Sequence, residues 1–289
     1  MTINPQHQAL IRQRNIRKVL QAVPVYILLV LASVVIGAPF FWMITTALKP
    51  FAEVAIYPPK WIPSYIRWEN FVEAWQSAPF ARFYVNSVFV SVTSTILQVG
   101  IGLFSAYAFA RIEFPRKDAL FLLVLATMMI PGQMTLIPNY ITLSKLGWIN
   151  TYKALIIPHA ANAFGTFMMR ENIMSLPGEL FDAAKIDGAG HLRTLKDLVI
   201  PLTRPILGTL ILLNFIGHWN AYLWPLIVTN TANMRTLPIG LVYMRMQEGG
   251  SIWNLMMAAT IFVTAPILLI FIFNQKQLIE GVTRGAIKG

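Results

Sequence analysis

Cysteine is absent from all 289 residues, which excludes disulfides, thiolate metal sites and a cysteine nucleophile. Charge is scarce as well. Only 12% of the residues are Asp, Glu, Lys or Arg, against roughly 25% in an ordinary soluble domain. The four histidines show no paired ligand spacing, so nothing supports a metal centre. No internal repeat, low-complexity tract or soluble domain stands out. What remains is apolar: 56% of the chain is hydrophobic and the mean hydropathy is +0.59. These residues fall in long uncharged stretches, and about 20 of them suffice to cross a hydrocarbon core as a helix. The expected fold class is therefore all-α, a polytopic membrane protein.

The net charge of +11 has two readings. The lysines and arginines are scattered between apolar stretches and build no continuous basic face with interleaved aromatics, so no nucleic-acid partner is expected. Membrane topology explains the excess, with bilayer lipid as the expected surroundings. The apolar pattern predicts six spans, at about 22–48, 86–110, 119–138, 154–169, 206–228 and 252–273. The first follows Arg12, Arg14, Arg17 and Lys18 but is too long for the h-region of a signal peptide, so it is read as an uncleaved span. The fourth carries Pro158, His159 and Asn162, which suits a bundle interior where neighbours satisfy polar groups. Prolines at 131, 138, 158, 225 and 266 invite kinks.

Basic residues also set the expected orientation. With the N-terminus cytosolic, most of the lysines and arginines fall on the cytosolic side, among them Arg111, Arg116, Lys117, Arg170, Lys185, Arg193, Lys196 and Arg204. Both termini are then cytosolic. Segments 49–85 and 229–251 lie outside, polar and aromatic enough to meet a soluble partner. The whole of 1–289 is expected to be one transmembrane domain.

Residues 170–205 form the one long cytosolic loop, and SLPGELFDAAKIDGAGHLRTLKDLVIPLTRP at 175–205 has the pattern of a helical hairpin. Pro177 suits a first helical turn, and Glu179 and Asp182 near that end favour the helix dipole. Leu180, Phe181 and Ala184 share a face. Gly188 is placed to end the helix in a left-handed conformation. Leu192, Leu195 and Val199 then recur at helical spacing until Pro201, which is expected to stop the second helix. Periodicity alone leaves open an amphipathic hairpin lying on the bilayer.

The detailed residues resemble the signature loop of ABC-importer permeases, E-A-A, three residues, G, nine residues, I-x-L-P. Asp182 stands in the Glu position, Ala183, Ala184 and Gly188 match, and Leu198 and Ile200 replace Ile and Leu before Pro201. The IDGA of 186–189, which includes Asp187 and Ala189, and the LP-x-EL of 176–180 are similar to the carbohydrate-import branch. The likeness extends to FYVNS at 83–87, SAYAFARIEFPR at 105–116, GHWNAYLWPL at 217–226 and GAIKG at 285–289. The chain thus resembles the smaller, six-span permease of maltose-type sugar importers. That resemblance implies the type I ABC importer permease fold and a coupling helix seated on an ATPase subunit. It further implies a second homologous permease, a pair of cytosolic ATPases that hold the ATP and Mg, and an extracytoplasmic solute-binding protein. No cofactor or covalent chemistry is expected in this chain, and the tail at 274–289 is expected to touch the ATPases through Gly285, Lys288 and Gly289. The departure at Asp182, one methylene shorter than Glu, shortens the arm of any ion pair to the ATPase.

The spans hold essentially no ionisable residues, whereas ion-coupled carriers place such groups in the membrane. Energy is therefore expected to enter through the loop. A carrier or facilitator acting alone would also have uncharged spans and stays open. The fifth span is the most polar, and Asn214, His218, Trp219, Asn220 and Trp224 are candidates to line a path for hydroxylated solutes. The competing expectation is that the asparagines join helices and the tryptophans mark the membrane interface.

Overall fold

A computed structural model describes residues 5–247 and 252–286, with side chains for 22–242, 244 and 252–273. The described residues form helices and no strand, as the composition implies. In chain order these are α1 (Pro5–Ala47), α2 (Glu69–Gln76), α3 (Phe80–Arg111), α4 (Lys117–Thr127), α5 (Leu136–Lys145), α6 (Tyr152–Ile156), α7 (Ala163–Met174), α8 (Gly178–Ile186), α9 (His191–Thr194), α10 (Ile200–Leu202), α11 (Arg204–Trp219), α12 (Leu223–Val228), α13 (Leu237–Gln247) and α14 (Trp253–Ala286). The chain divides into two compact units, residues 1–74 with 251–261, and residues 75–250 with 262–289.

Among the described residues three helices are long and apolar enough to cross a bilayer alone: Ala22–Ala47, Phe80–Arg111 and Trp253–Phe273. A bent pair, His191–Leu202 with Arg204–Trp219, is apolar enough to make a fourth only if its two arms, turned by 83° at the break, count as one span. The stretches expected at 119–138 and 154–169 are not single helices. In the first, α4 ends at Thr127 and α5 begins at Leu136, either side of Pro131 and Gly132. In the second, Pro158 falls in a short 3₁₀ turn, and α7 restarts behind Asn162, whose Oδ1 accepts from the N–H groups of Phe164 (2.8 Å) and Gly165 (3.4 Å). Both breaks place polar backbone where an unbroken span would have none, so these helices need neighbours around them.

The first unit is organised around the end of α1. The last carbonyls of a helix have no partner inside it, and here three successive ones are met from residues 67–70. Asn70 Nδ2 donates to Ala47 O and to Lys49 O, both at 2.8 Å, and Arg67 N donates to Leu48 O at 3.0 Å. Asn254 Nδ2 in turn donates to Asn70 Oδ1 at 3.1 Å, tying the start of α14 into the same knot. Asn70, Lys49 and Asn254 are all buried. The Lys49 ammonium lies 3.9 Å from the centroid of the Trp42 ring, and Trp42 packs edge-on against Trp61 at 5.2 Å. Burial pushes the Lys49 amine below its ordinary range, and the Glu53 carboxylate opposes that only in part.

The second unit is built on α3, whose 32 residues pack against α7 and α11. A small residue lets α7 come close: a β-carbon on Gly102 would sit 3.7 Å from the Thr166 nitrogen, and Ser91, Ser94 and Thr95 of α3 are buried as well. α13 approaches more tightly still. A β-carbon on Gly240 would fall 2.4 Å from the Phe83 ring, so only glycine fits against that buried phenyl. At the far end of α3, Leu103, Ala106 and Tyr107 join Met169, Ile173, Leu195, Val199, Leu207 and Leu210 in an apolar core.

Candidate functional site

The hairpin forms where the sequence places it, with adjustments at each end. Pro177 is extended, and helix α8 begins one residue later at Gly178. Gly188 has φ +71, and its N–H donates to Lys185 O (3.1 Å) while Ala189 N donates to Ala184 O (2.9 Å). This pairing of bonds with a left-handed residue closes the helix behind Ile186. Pro201 does not stop the second arm. The chain widens into a π-helical turn over Leu195–Val199, stays helical through Pro201 to Leu202, and bends at Thr203. After the wide turn Pro201 occupies the first turn of a new helical segment, where no N–H is required of it. Thr203 instead marks the break, returning its N–H (2.9 Å) and hydroxyl (2.8 Å) to Val199 O.

No residue of α8 is buried. Asp182 and Ala183 are exposed, Ala184 and Ala189 half-buried, and Glu179 and Asp187 open to the surroundings. The hairpin also displays apolar side chains: Ile186 is 86% exposed, Leu192 73%, and Leu180 is exposed as well. Exposed apolar side chains on a polar hairpin suit burial against another surface. Phe181 points the other way and packs on the core beneath.

Three residues outside the expected set hold the hairpin down. Arg111, the last residue of α3, donates from one guanidinium nitrogen to Ile173 O and Leu176 O, both at 2.9 Å, and its Cζ lies 3.7 Å from the centroid of the Phe181 ring. One turn earlier, the Tyr107 hydroxyl lies 3.2 Å from His191 Nδ1 at the start of α9. A cleft of about 540 Å³ opens between these ties, lined by Tyr107, Arg111, Asp182, Lys185, His191 and Thr194 among others. The sequence signal for Tyr107 and Arg111 is the SAYAFARIEFPR stretch, together with the place of Arg111 among the cytosolic charges.

The candidate pathway residues separate. Trp219 is 2% exposed, donates Nε1–H to Val263 O (3.0 Å) and stacks on Phe215, so its indole is committed to packing. Trp224 is half-buried, with Nε1–H on Ala154 O at 2.9 Å. Asn214 is half-buried and Asn220 is exposed at the end of α11. His218 finds partners that linear spacing conceals: its Nε2 lies 3.0 Å from Gln98 Oε1 of α3, and its ring centroid lies 6.3 Å from that of His159. His159 also meets the Trp224 ring edge to face at 5.6 Å. Four polar or aromatic groups from four places in the sequence thus gather at one point. Among the described residues no group of three or more His, Asp or Glu side chains is arranged to hold a metal. Of the expected tail contacts, Lys288 and Gly289 lie outside the described residues, and Gly285 is described only as backbone within α14.

This architecture has counterparts. Residues 98–284 match the family described as the binding-protein-dependent transport system inner membrane component. The sn-glycerol-3-phosphate transport system permease protein UgpE of Yersinia enterocolitica is 31% identical over 264 residues, spanning 89% of this chain and 94% of its own length. The protein of that name from Pectobacterium atrosepticum is 30% identical over the same shares. A bacterial ABC transporter involved in the import of the acidic polysaccharide alginate shares the fold, with a TM-score of 0.78 at 22% identity over 92% of this chain and 97% of that one. These relatives are transport permeases rather than enzymes, and their family is one of inner-membrane proteins, in keeping with the apolar helices here. The match over most of the sequence and the relatives at 30% identity or above lead to one conclusion: this chain belongs to the inner membrane components of binding-protein-dependent transport systems.

Proposed function

We propose that this chain is one of two permease subunits of an ATP-driven importer for sugars or related hydroxylated solutes, such as oligosaccharides, polyols or their derivatives. The observation that carries the reading is the hairpin, which leaves every residue of α8 unburied while showing Leu180, Ile186 and Leu192 to its surroundings. A cytosolic ATPase subunit is the partner that this face suits. Glu179, Asp182 and Asp187 supply charge around the apolar contact, and Ala183 and Ala184 allow close approach. ATP and Mg belong to the ATPase pair, and solute arrives from an extracytoplasmic binding protein. The names of the relatives support the solute class: one group is named for sn-glycerol-3-phosphate, and a structure of the alginate importer includes an alginate pentasaccharide-bound periplasmic protein.

In this reading the chain crosses the membrane six times with both termini cytosolic, the broken segments α4–α5 and α6–α7 counting as crossings completed by neighbouring helices. His218, Asn214 and Asn220 line the path together with Gln98 and His159, while Trp219 and Trp224 brace it. Gly285, Lys288 and Gly289 make the secondary contact to the ATPases. The test is to purify the chain with its ATPase, then reconstitute it with the second permease and the binding protein in vesicles. Uptake that requires ATP and all four components is expected. Solute movement by this chain alone, indifferent to ATP, would overturn the reading.

A further inference from the structure

The docking face accounts for how a partner holds the hairpin, but not for how the hairpin's displacement reaches the solute path. Resting on the proposed function above, we infer that Arg111 is a positioning residue that latches α8 to α3, with Tyr107 as its second point of attachment, so that α3 carries the stroke.

Three observations support this. First, α8 has no buried residue, and Phe181 is its side chain that packs on the core beneath. Arg111 covers that same ring at 3.7 Å. Second, Arg111 donates to Ile173 O and Leu176 O, carbonyls left over where α7 ends and the chain turns into the hairpin. A guanidinium is suited to both tasks at once, because its planar fork bonds in its plane and stacks on its face. Third, Tyr107 reaches the other arm through His191, and the cleft between the two ties is open. The described fold thus ties the entry to α8 to α3 through Arg111, which stacks on Phe181 beside an open cleft, while the second arm is seated in the apolar core through Leu195 and Val199.

The receiving element is well suited to transmit. α3 is one unbroken helix, and Gln98, which meets His218, sits 13 positions before Arg111, about 20 Å away along the axis at 1.5 Å per residue. A shift of the latch therefore arrives at the polar cluster through a rigid rod. A contiguous packed helix joins the two sites, and the solute moved per ATP decides whether it couples them.

The experiment uses the complete reconstituted importer and reads solute moved per ATP hydrolysed, alongside ATP hydrolysis per assembled complex. Arg111→Leu removes both bonds and the stacked charge, and is expected to lower solute per ATP about tenfold while hydrolysis per complex changes less than twofold. Arg111→Lys keeps the charge without the fork and should fall between Leu and the wild type. Tyr107→Phe deletes only the hydroxyl and should lower the ratio about twofold to threefold. Phe181→Leu combined with Arg111→Leu should do little more than Arg111→Leu alone, since both break one tie.

If Arg111→Leu yields too little assembled complex, Arg111→Lys and Tyr107→Phe carry the test, because both leave the apolar packing intact. A wild-type ratio in both of those variants, or hydrolysis and transport falling in parallel, overturns the latch. Neither result touches the function itself, which fails only if the wild-type complex moves solute without ATP.

Discussion

The hairpin at 178–202 and the knot formed by residues 45–74 with 252–259 treat polar and apolar groups in opposite ways. In the knot, buried amides are bonded inward, Asn70 alone serving two helix-end carbonyls and receiving Asn254, although the buried Lys49 ammonium and Thr46 hydroxyl make no hydrogen bond. In the hairpin, apolar side chains such as Ile186 and Leu192 stand exposed, and few internal bonds hold them. A buried amide that loses its partners leaves unsatisfied groups behind, whereas an exposed isoleucine that is removed leaves nothing. The knot is therefore made to be rigid by itself. The hairpin is made to be completed by something else.

The largest effect expected on this contrast is at Asn70. Asn70→Ala orphans the Ala47 carbonyl and leaves Lys49 O and the Asn254 amide only their long contact with each other (3.5 Å), and should cost roughly 3 kcal/mol of stability, read as a lowered unfolding midpoint in detergent. Asn70→Asp retains an acceptor for Asn254 but no donor for the carbonyls, so it should rescue little. A midpoint unchanged in Asn70→Ala would break the distinction between the regions. Next in size is Gly188→Val, where φ +71 is costly for a β-branched residue although the space around it is open. The left-handed conformation costs on the order of 1–2 kcal/mol, confined to the hairpin. It should appear as loss of coupled transport with the unfolding midpoint nearly unchanged.

The same contrast explains what could be read in advance. Local chemistry was legible: Gly188 ends its helix as its position between Asp187 and Ala189 implies, and the apolar runs at 22–48 and 252–273 are helices of spanning length. Features that depend on several distant residues were not. Pro201 reads as a stop, yet a π-helical turn over Leu195–Val199 carries the helix past it, and only the i→i+5 backbone pattern reveals this. The continuous apolarity of 119–138 conceals the break around Pro131 and Gly132, because hydropathy counts residues without asking where backbone bonds go. His159 and His218 show no ligand-like spacing along the chain, and it is packing of α11 beside α3 that gathers them with Gln98. Arg111 reads as one more cytosolic charge, although its three partners come from α7, the turn after it and α8.

A smaller effect sharpens the hairpin side. Ile186→Ser should leave the unfolding midpoint within about 0.5 kcal/mol of wild type, since the side chain is 86% exposed, while lowering the amount of ATPase that co-purifies. Full retention of the ATPase in an Ile186→Ser, Leu192→Ser double variant would remove the docking face from the hairpin. On the knot side, Lys49→Met exchanges a buried ammonium for a side chain of similar reach. The desolvation relieved and the attraction to the Trp42 ring lost oppose each other, so a net change within about 1 kcal/mol is expected. That is well below the cost at Asn70, although both residues are fully buried.

The smallest effect tests whether the neighbouring loop shares the knot's inward bonding. Glu53 is held by the Ser64 hydroxyl, the Ser64 backbone N–H (3.1 Å) and the Lys60 ammonium (3.0 Å), which together lower its carboxyl to about 2. A folded-state value below the ordinary 4.5 means that the ionised form is favoured by folding. The contribution is complete above that ordinary value and disappears as pH falls from there towards about 2. Glu53→Gln should accordingly open residues 53–64 to an acid-tolerant protease faster than wild type at pH values above 4.5, and the two rates should converge as pH approaches 2. Rates that differ by the same factor throughout would assign the loop's order to its prolines and aromatic contacts instead, leaving the inward-bonded design confined to Asn70 and its partners.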